Sequence, residues 1–172
     1  FERGAWSFGV EAGGGYTFDL PTGRDRTDLQ FAVLFPNFEY NMTGLIGRDA
    51  WYQGALYWRP EVDAAYLTNH GGKYLAGFSP IMLQYKFADP KRSWAPNLLG
   101  GAGFSFTNWD DIAFQELGAP FEFLLHIGGG LEFFHDKGSY SINYRLFHVS
   151  NGGIASPNIG LNAHVFTLGI RF

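Results

Sequence analysis

Along most of this chain apolar and polar residues alternate one by one. Between 121 and 135 the odd positions include Phe121, Phe123, Leu125, Ile127, Leu131 and Phe133, whereas the even ones include Glu122, His126, Gly128, Gly130 and Glu132. Successive side chains of a strand point to opposite faces, so this period of two predicts a strand with one greasy and one polar face. The pattern recurs as Trp6, Phe8, Val10 and Tyr16 against Ser7, Gly9, Glu11 and Thr17. It appears again as Tyr52, Leu56, Trp58 and Val62 against Gln53, Tyr57, Arg59, Glu61 and Asp63, and as His164, Phe166, Leu168 and Ile170 against Val165, Thr167, Gly169 and Arg171. Eight segments are predicted, at 5–17, 29–42, 50–65, 73–87, 93–109, 121–135, 139–151 and 158–172. Short connections near 43–49, 88–92 and 136–138 alternate with longer or more polar ones near 18–28, 66–72, 109–120 and 151–158.

A soluble barrel of the lipocalin kind would alternate too, with its grease turned inward around a ligand. Three features favour the inverted arrangement, apolar outside and polar within. The segments are even in number. Each exceeds the ~9–11 residues with which a tilted strand crosses a bilayer. The final strand is aromatic and ends at Phe172, resembling the terminal strand of bacterial outer-membrane barrels. The predicted fold is therefore all-β, an eight-stranded antiparallel transmembrane barrel formed by residues 1–172 as a single domain. Such a barrel has an interior just wide enough for side chains to fill. The inward Glu11, Arg59, Glu61, Asp63, Glu122, Glu132, Arg145 and Arg171 are expected to pair there as a plug, which disfavours a porin.

Composition narrows the field further. The 172 residues include 24 Gly, 18 Phe, 9 Tyr and 5 Trp, as suits kinked strands rich in aromatics. A net charge of −4 argues against nucleic acid, and the lack of cysteine removes disulfides, thiolate metal sites and thiol nucleophiles. No apolar run of helical length occurs, so no transmembrane helix is expected. The opening Phe-Glu-Arg-Gly-Ala-Trp is no secretory leader, and the chain reads as a mature or trimmed one. Gly13-Gly14-Gly15 and Gly128-Gly129-Gly130 lack the Lys-Ser/Thr of a phosphate-binding loop and read as barrel kinks.

The candidate chemistry lies in the seventh segment. There Tyr140, Ile142, Tyr144, Leu146, His148 and Ser150 share one parity, while Ser141, Asn143, Arg145, Phe147 and Val149 take the other. Arg145 and Asn143 turn into the lumen, so His148 and Ser150 fall on the lipid-facing wall, where polar side chains are costly. With both termini periplasmic, as is usual for bacterial barrels, this pair sits near the outer end of its strand, at the depth of lipid head groups and ester linkages. Asn162, with His164 beyond it, shares the outer face of the neighbouring last strand. An interfacial polar girdle without chemistry would explain His148 and Ser150 equally well. The longer pattern carries more: His148-Val-Ser150-Asn151-Gly152-Gly153-Ile-Ala-Ser-Pro157-Asn158-Ile-Gly160-Leu-Asn162.

This stretch resembles the PagL family of outer-membrane lipid A 3-O-deacylases, whose members carry His-x-Ser-Asn, a Gly and then Pro-Asn-x-Gly at this spacing. The resemblance implies a cofactor-free serine esterase, without a metal, acting on lipid A (lipopolysaccharide) in the outer membrane. Ser150 would be the nucleophile, His148 the base and Asn162 the third member, where the family has Glu. Asn158, with the backbone amides of Asn151 and Gly152, would form the oxyanion hole. A neutral amide fixes a histidine tautomer but does not stabilise imidazolium. The loop acids Asp110, Asp111 and Glu116 are considered as substitutes for the missing carboxylate, and as a cation site. Arg24 and Arg26 are candidate contacts for lipid A phosphates. The rivals are a barrel that kept the scaffold but not the chemistry, and a lipid acyltransferase.

Overall fold

The computed structural model describes residues 1–21, 25–89 and 91–172. The alternating segments fold as β1 (Trp6–Thr17), β2 (Gln30–Asn41), β3 (Gly54–Trp58), β4 (Glu61–Leu67), β5 (Tyr74–Phe87), β6 (Trp94–Thr107), β7 (Phe121–His135), β8 (Gly138–Ser150) and β9 (Leu161–Arg171). All pairings are antiparallel, and β1 pairs with β9 as well as β2, so the sheet closes on itself. β3 and β4 both lie between β2 and β5, so together they form one stave and the ring has eight. Closure leaves no exposed sheet edge among the described residues.

The third predicted segment is thus two strands, and its first residues, 50–53, lie in the turn before Gly54. The break falls at Arg59–Pro60, because proline has no N–H to give the ladder. A second proline, Pro80, lies opposite in the stretch where the β5–β6 register shifts between Phe78 and Ile81. The Trp58 indole N–H spans this weak place, donating to the Pro80 carbonyl at 2.8 Å.

Side-chain parity follows the sequence. The outer wall exposes Leu34, Ile81, Leu98, Leu125, Ile127, Ile142, Phe166 and Leu168. Trp6, Phe8, Tyr40, Trp58 and Tyr140 ring it towards the short turns, and Tyr16, Tyr66, Tyr74 and Phe106 towards the long loops. Two aromatic girdles flanking an apolar band are what a bilayer selects on the outside of a barrel. No helix is long and apolar enough to cross a membrane among the described residues.

The interior departs from a uniformly polar lumen, because it divides in two. Towards the short turns, Arg59 and Arg145 each bridge Glu11 and Glu61, with N–O distances of 2.5–2.7 Å. Below them Lys86 joins Glu39 (2.6 Å) and Glu132 (2.5 Å), and Arg171 also reaches Glu39 at 2.6 Å. The expected plug therefore exists, but Glu39 and Lys86 belong to it while two expected members do not. Asp63 accepts from the Ser79 hydroxyl at 2.7 Å, and Glu122 lies higher in the lumen without a hydrogen-bond partner among the described residues. Towards the long loops the lumen is apolar, with Leu29, Phe31, Phe35, Leu67, Leu75, Leu124, Phe147 and Val165 buried together. The 108–120 loop folds down as a cap on this core, driven by burial of Trp109, Ala113 and Leu117 from a 3-10 turn and the short helix α1 (Phe114–Leu117).

Candidate functional site

His148 and Asn162 are direct cross-strand neighbours on β8 and β9, and Ser150 lies two residues above His148 on the same outward face. All three are half-buried. The His148 imidazole bridges the other two: Nδ1 lies 2.9 Å from Asn162 Oδ1 and Nε2 lies 3.1 Å from Ser150 Oγ. With the amide oxygen accepting from Nδ1–H, the Nε2 lone pair is left to accept the serine hydroxyl proton. This is the order of groups by which a base activates a nucleophile. The Asn162 Nδ2 group is buried and has no partner among the described residues. A residue with no donor at that atom would fit the pocket better.

Above the pair, the 151–160 loop is tied down by Asn151. Its side chain donates to Leu117 O (2.5 Å) and Ala155 O (3.1 Å), while Oδ1 accepts from Gly153 N (2.9 Å). The Asn151 amide donates to Asn158 Oδ1 at 3.2 Å. That contact has two consequences for an oxyanion hole. It engages the Asn151 N–H, removing it as a free donor, and it orients the Asn158 side chain so that Nδ2 is available. Gly152 is exposed beside them, with φ +66°.

Two glycines allow the close packing. Gly160 (φ +70°) covers the imidazole so closely that a Cβ there would lie 2.7 Å from His148 Cε1. Gly118 (φ +66°) lets the 108–120 loop meet the 151–160 loop, since a Cβ there would lie 2.1 Å from Pro157 O. Gly160 is part of the motif that points to this segment; Gly118 has no sequence signal beyond being a glycine in a polar loop.

The remaining candidates lie elsewhere. Exposed Asp111 pairs with half-buried Lys73, and Glu116 accepts from the Thr27 amide at 2.6 Å, so neither replaces Asn162 beside His148. Among the described residues Asp110, Asp111 and Glu116 do not gather as a cation site. His164 makes no hydrogen bond to the His148 group among the described residues; its Nδ1 meets the Tyr144 hydroxyl at 2.8 Å and its ring stacks on Phe18, centroids 4.2 Å apart. Arg26 reaches the carbonyls of Gly160 (2.9 Å) and Ile159 (3.5 Å). Arg24 lies outside the described residues.

A set of potential metal donors, Glu61, Asp63 and His126, is buried in the lumen. Its groups are spread around the ring and engaged by other partners, with the Ser79 hydroxyl 3.2 Å from His126 Nε2. Glu61 faces Nδ1 of His126 (4.0 Å) and Asp63 faces Nε2 (3.7 Å), so no one ring nitrogen serves both carboxylates. Both Glu61 oxygens are also held by Arg59 and Arg145 at 2.5 Å.

Beside His148 the outer wall carries an apolar furrow of about 360 Å³, lined mainly by Phe18, Leu20, Leu125, Ile127, Leu146 and Asn162. Sequence parity placed Leu125, Ile127 and Leu146 on this wall. It did not bring Phe18 and Leu20 against them, because they belong to the opposite end of the chain and reach β8 only through ring closure.

A family model described as "Lipid A 3-O-deacylase (PagL)" matches residues 26–171. The curated protein "Lipid A deacylase PagL" of Pseudomonas aeruginosa is 32% identical over 115 residues, an alignment covering 66% of this chain and 59% of that protein's length. The crystal structure of the outer membrane enzyme PagL superposes with a TM-score of 0.68 at 22% identity, covering 96% of this chain and 99% of the other. The attachment invasion locus protein Ail of Yersinia pestis gives 0.50 at 11% identity, covering 99% and 100% of the two chains. These structural likenesses speak for the barrel fold.

Proposed function

The chain belongs to the PagL family of lipid A 3-O-deacylases, and from that premise we propose that it is an outer-membrane esterase that removes the acyl chain ester-linked at position 3 of lipid A. The observation that carries the proposal is the chain of contacts Asn162–His148–Ser150 on the outward face of the barrel, with links of 2.9 and 3.1 Å; the proposal takes that face to meet lipid. An ester buried at the edge of a leaflet is accessible from that side without leaving the membrane.

In the proposed reaction Ser150 Oγ attacks the acyl carbonyl carbon as His148 Nε2 takes the hydroxyl proton. The tetrahedral oxyanion is met by Asn158 Nδ2 and the Gly152 amide, donors placed where charge develops. Collapse breaks the bond to the sugar oxygen, which receives the proton from His148, leaving an acyl group on Ser150. Water, deprotonated by the same imidazole, then attacks that ester; the Ser150 Oγ–acyl bond breaks, Oγ takes the proton back from His148, and the free hydroxy fatty acid leaves. Asn162 holds the Nδ1–H tautomer throughout. The furrow beside His148 supplies an apolar wall for the departing acyl chain.

Mass spectrometry of lipid A from cells with and without the protein tests this reading. Loss of one 3-hydroxyacyl mass, abolished by Ser150→Ala, is the expected result. A gain in mass would indicate acyl transfer, and no change would leave a barrel that kept the scaffold alone.

A further inference from the structure

We propose that Arg26 is a positioning residue for this site, clamping the Ile159–Gly160 backbone over the His148 ring; the inference rests on the esterase reading above. The Arg26 side chain crosses from the first long loop to the last. It donates from Nε to Gly160 O at 2.9 Å and from Nη2 to Ile159 O at 3.5 Å. Gly160 is the residue packed on His148 Cε1, so a force on its carbonyl bears on the imidazole through van der Waals contact. The base of the clamp is itself fixed. The Arg26 amide donates to Asp19 Oδ1 at 2.8 Å, and the next amide, Thr27, donates to Glu116 Oε1 at 2.6 Å. The 108–120 loop holds the same turn from behind, since Glu116 O accepts from Gly160 N at 2.9 Å. Gly160 is thereby gripped at both its N–H and its C=O by two different loops.

This arrangement separates Arg26 from a substrate contact. An arginine that binds a phosphate presents its guanidinium fork to solvent. Here Nε and Nη2 face backbone carbonyls, while Nη1 is shut away from solvent without a partner among the described residues. A strained or shifted Gly160 would move His148 Nε2 from its 3.1 Å contact with Ser150, the distance on which proton transfer depends.

The experiment uses the refolded barrel in detergent micelles, with two substrates: bis-phosphorylated lipid A and a phosphate-free p-nitrophenyl acyl ester. Arg26→Ala is expected to lower kcat by about ten- to a hundredfold on both, the scale on which displacement of a catalytic group acts, with KM nearly unchanged. Arg26→Lys, which keeps one donor for Gly160 O and removes the unpartnered Nη1, is expected to recover most of the rate. Hydrogen exchange at the amides of 158–162 is expected to accelerate in Arg26→Ala and not in Arg26→Lys. A loss confined to the phosphorylated substrate and expressed in KM would overturn the clamp in favour of phosphate binding. Unchanged exchange would overturn it as well. A parent protein that hydrolyses neither substrate, yet shows the exchange difference, would refute the esterase reading and leave the clamp standing.

Discussion

The most informative perturbation is to give Asn162 a charge. Asn162→Asp is isosteric: it replaces the buried, unpartnered Nδ2 with oxygen and leaves the other oxygen 2.9 Å from His148 Nδ1. The amide already fixes the tautomer, so the change isolates one effect, stabilisation of the imidazolium that forms as Ser150 gives up its proton. Two unit charges about 4 Å apart interact by about 4 kcal/mol at an effective dielectric of 20, a ceiling of about 10³ in rate. Both residues are half-buried and face a wet interface, so screening reduces this to about 1.5–3 kcal/mol, or roughly ten- to a hundredfold. The reverse exchange in a serine protease triad costs about 10⁴, which bounds the effect from above. Asn162→Glu installs the residue the resemblance implies for the family, one methylene longer, and is also expected to be faster than the parent. The assay is the initial rate of 3-hydroxy fatty acid release from lipid A in micelles, with heat-modified electrophoretic mobility reporting a closed barrel. If both variants fold yet run at or below the parent rate, Asn162 does not occupy the carboxylate's place and the relay as described is wrong.

Other outcomes follow from the same geometry. Gly160→Ala puts a Cβ 2.7 Å from His148 Cε1 on a backbone of φ +70°, so kcat should fall at least about tenfold and the melting temperature should also drop, by about 1–2 kcal/mol of backbone strain. Asn158→Ala removes the side-chain donor for the oxyanion and should cost about 10²–10³ in kcat with KM little changed. Leu146→Trp narrows the furrow beside His148, and comparing esters of increasing chain length should reveal a loss confined to the longer ones. Arg145→Ala leaves Glu11 and Glu61 buried short of a counter-charge and should destabilise the barrel by about 3–5 kcal/mol, measured as a shift in unfolding by urea or heat in detergent.

Strand parity was legible in the chain because a period of two in side-chain direction is a local property of extended backbone. It fixed that Arg145 and Glu61 turn inward and that His148, Ser150 and Asn162 turn outward, and alternation needs no knowledge of what lies across the ring. The His-x-Ser pair was visible because both residues sit on one strand. What alternation does not carry is cross-strand register and loop packing. His148 faces Asn162 only because β8 and β9 pair with those residues opposed, and a slip of two would have offered His164 instead. The break of the third stave at Pro60 depends on a partner strand with its own proline at 80. The division of the lumen into an ionic and an apolar half required the 108–120 loop to fold inward, a choice made by burial of Trp109 and Leu117 rather than by any periodicity. Arg26 gives the sharpest case. As a letter in a polar loop it is a free cation, and only the approach of residue 160, brought near by closure of β1 on β9, turns it towards backbone carbonyls. Local chemistry decided which way each side chain points; the closed ring decided what it meets there.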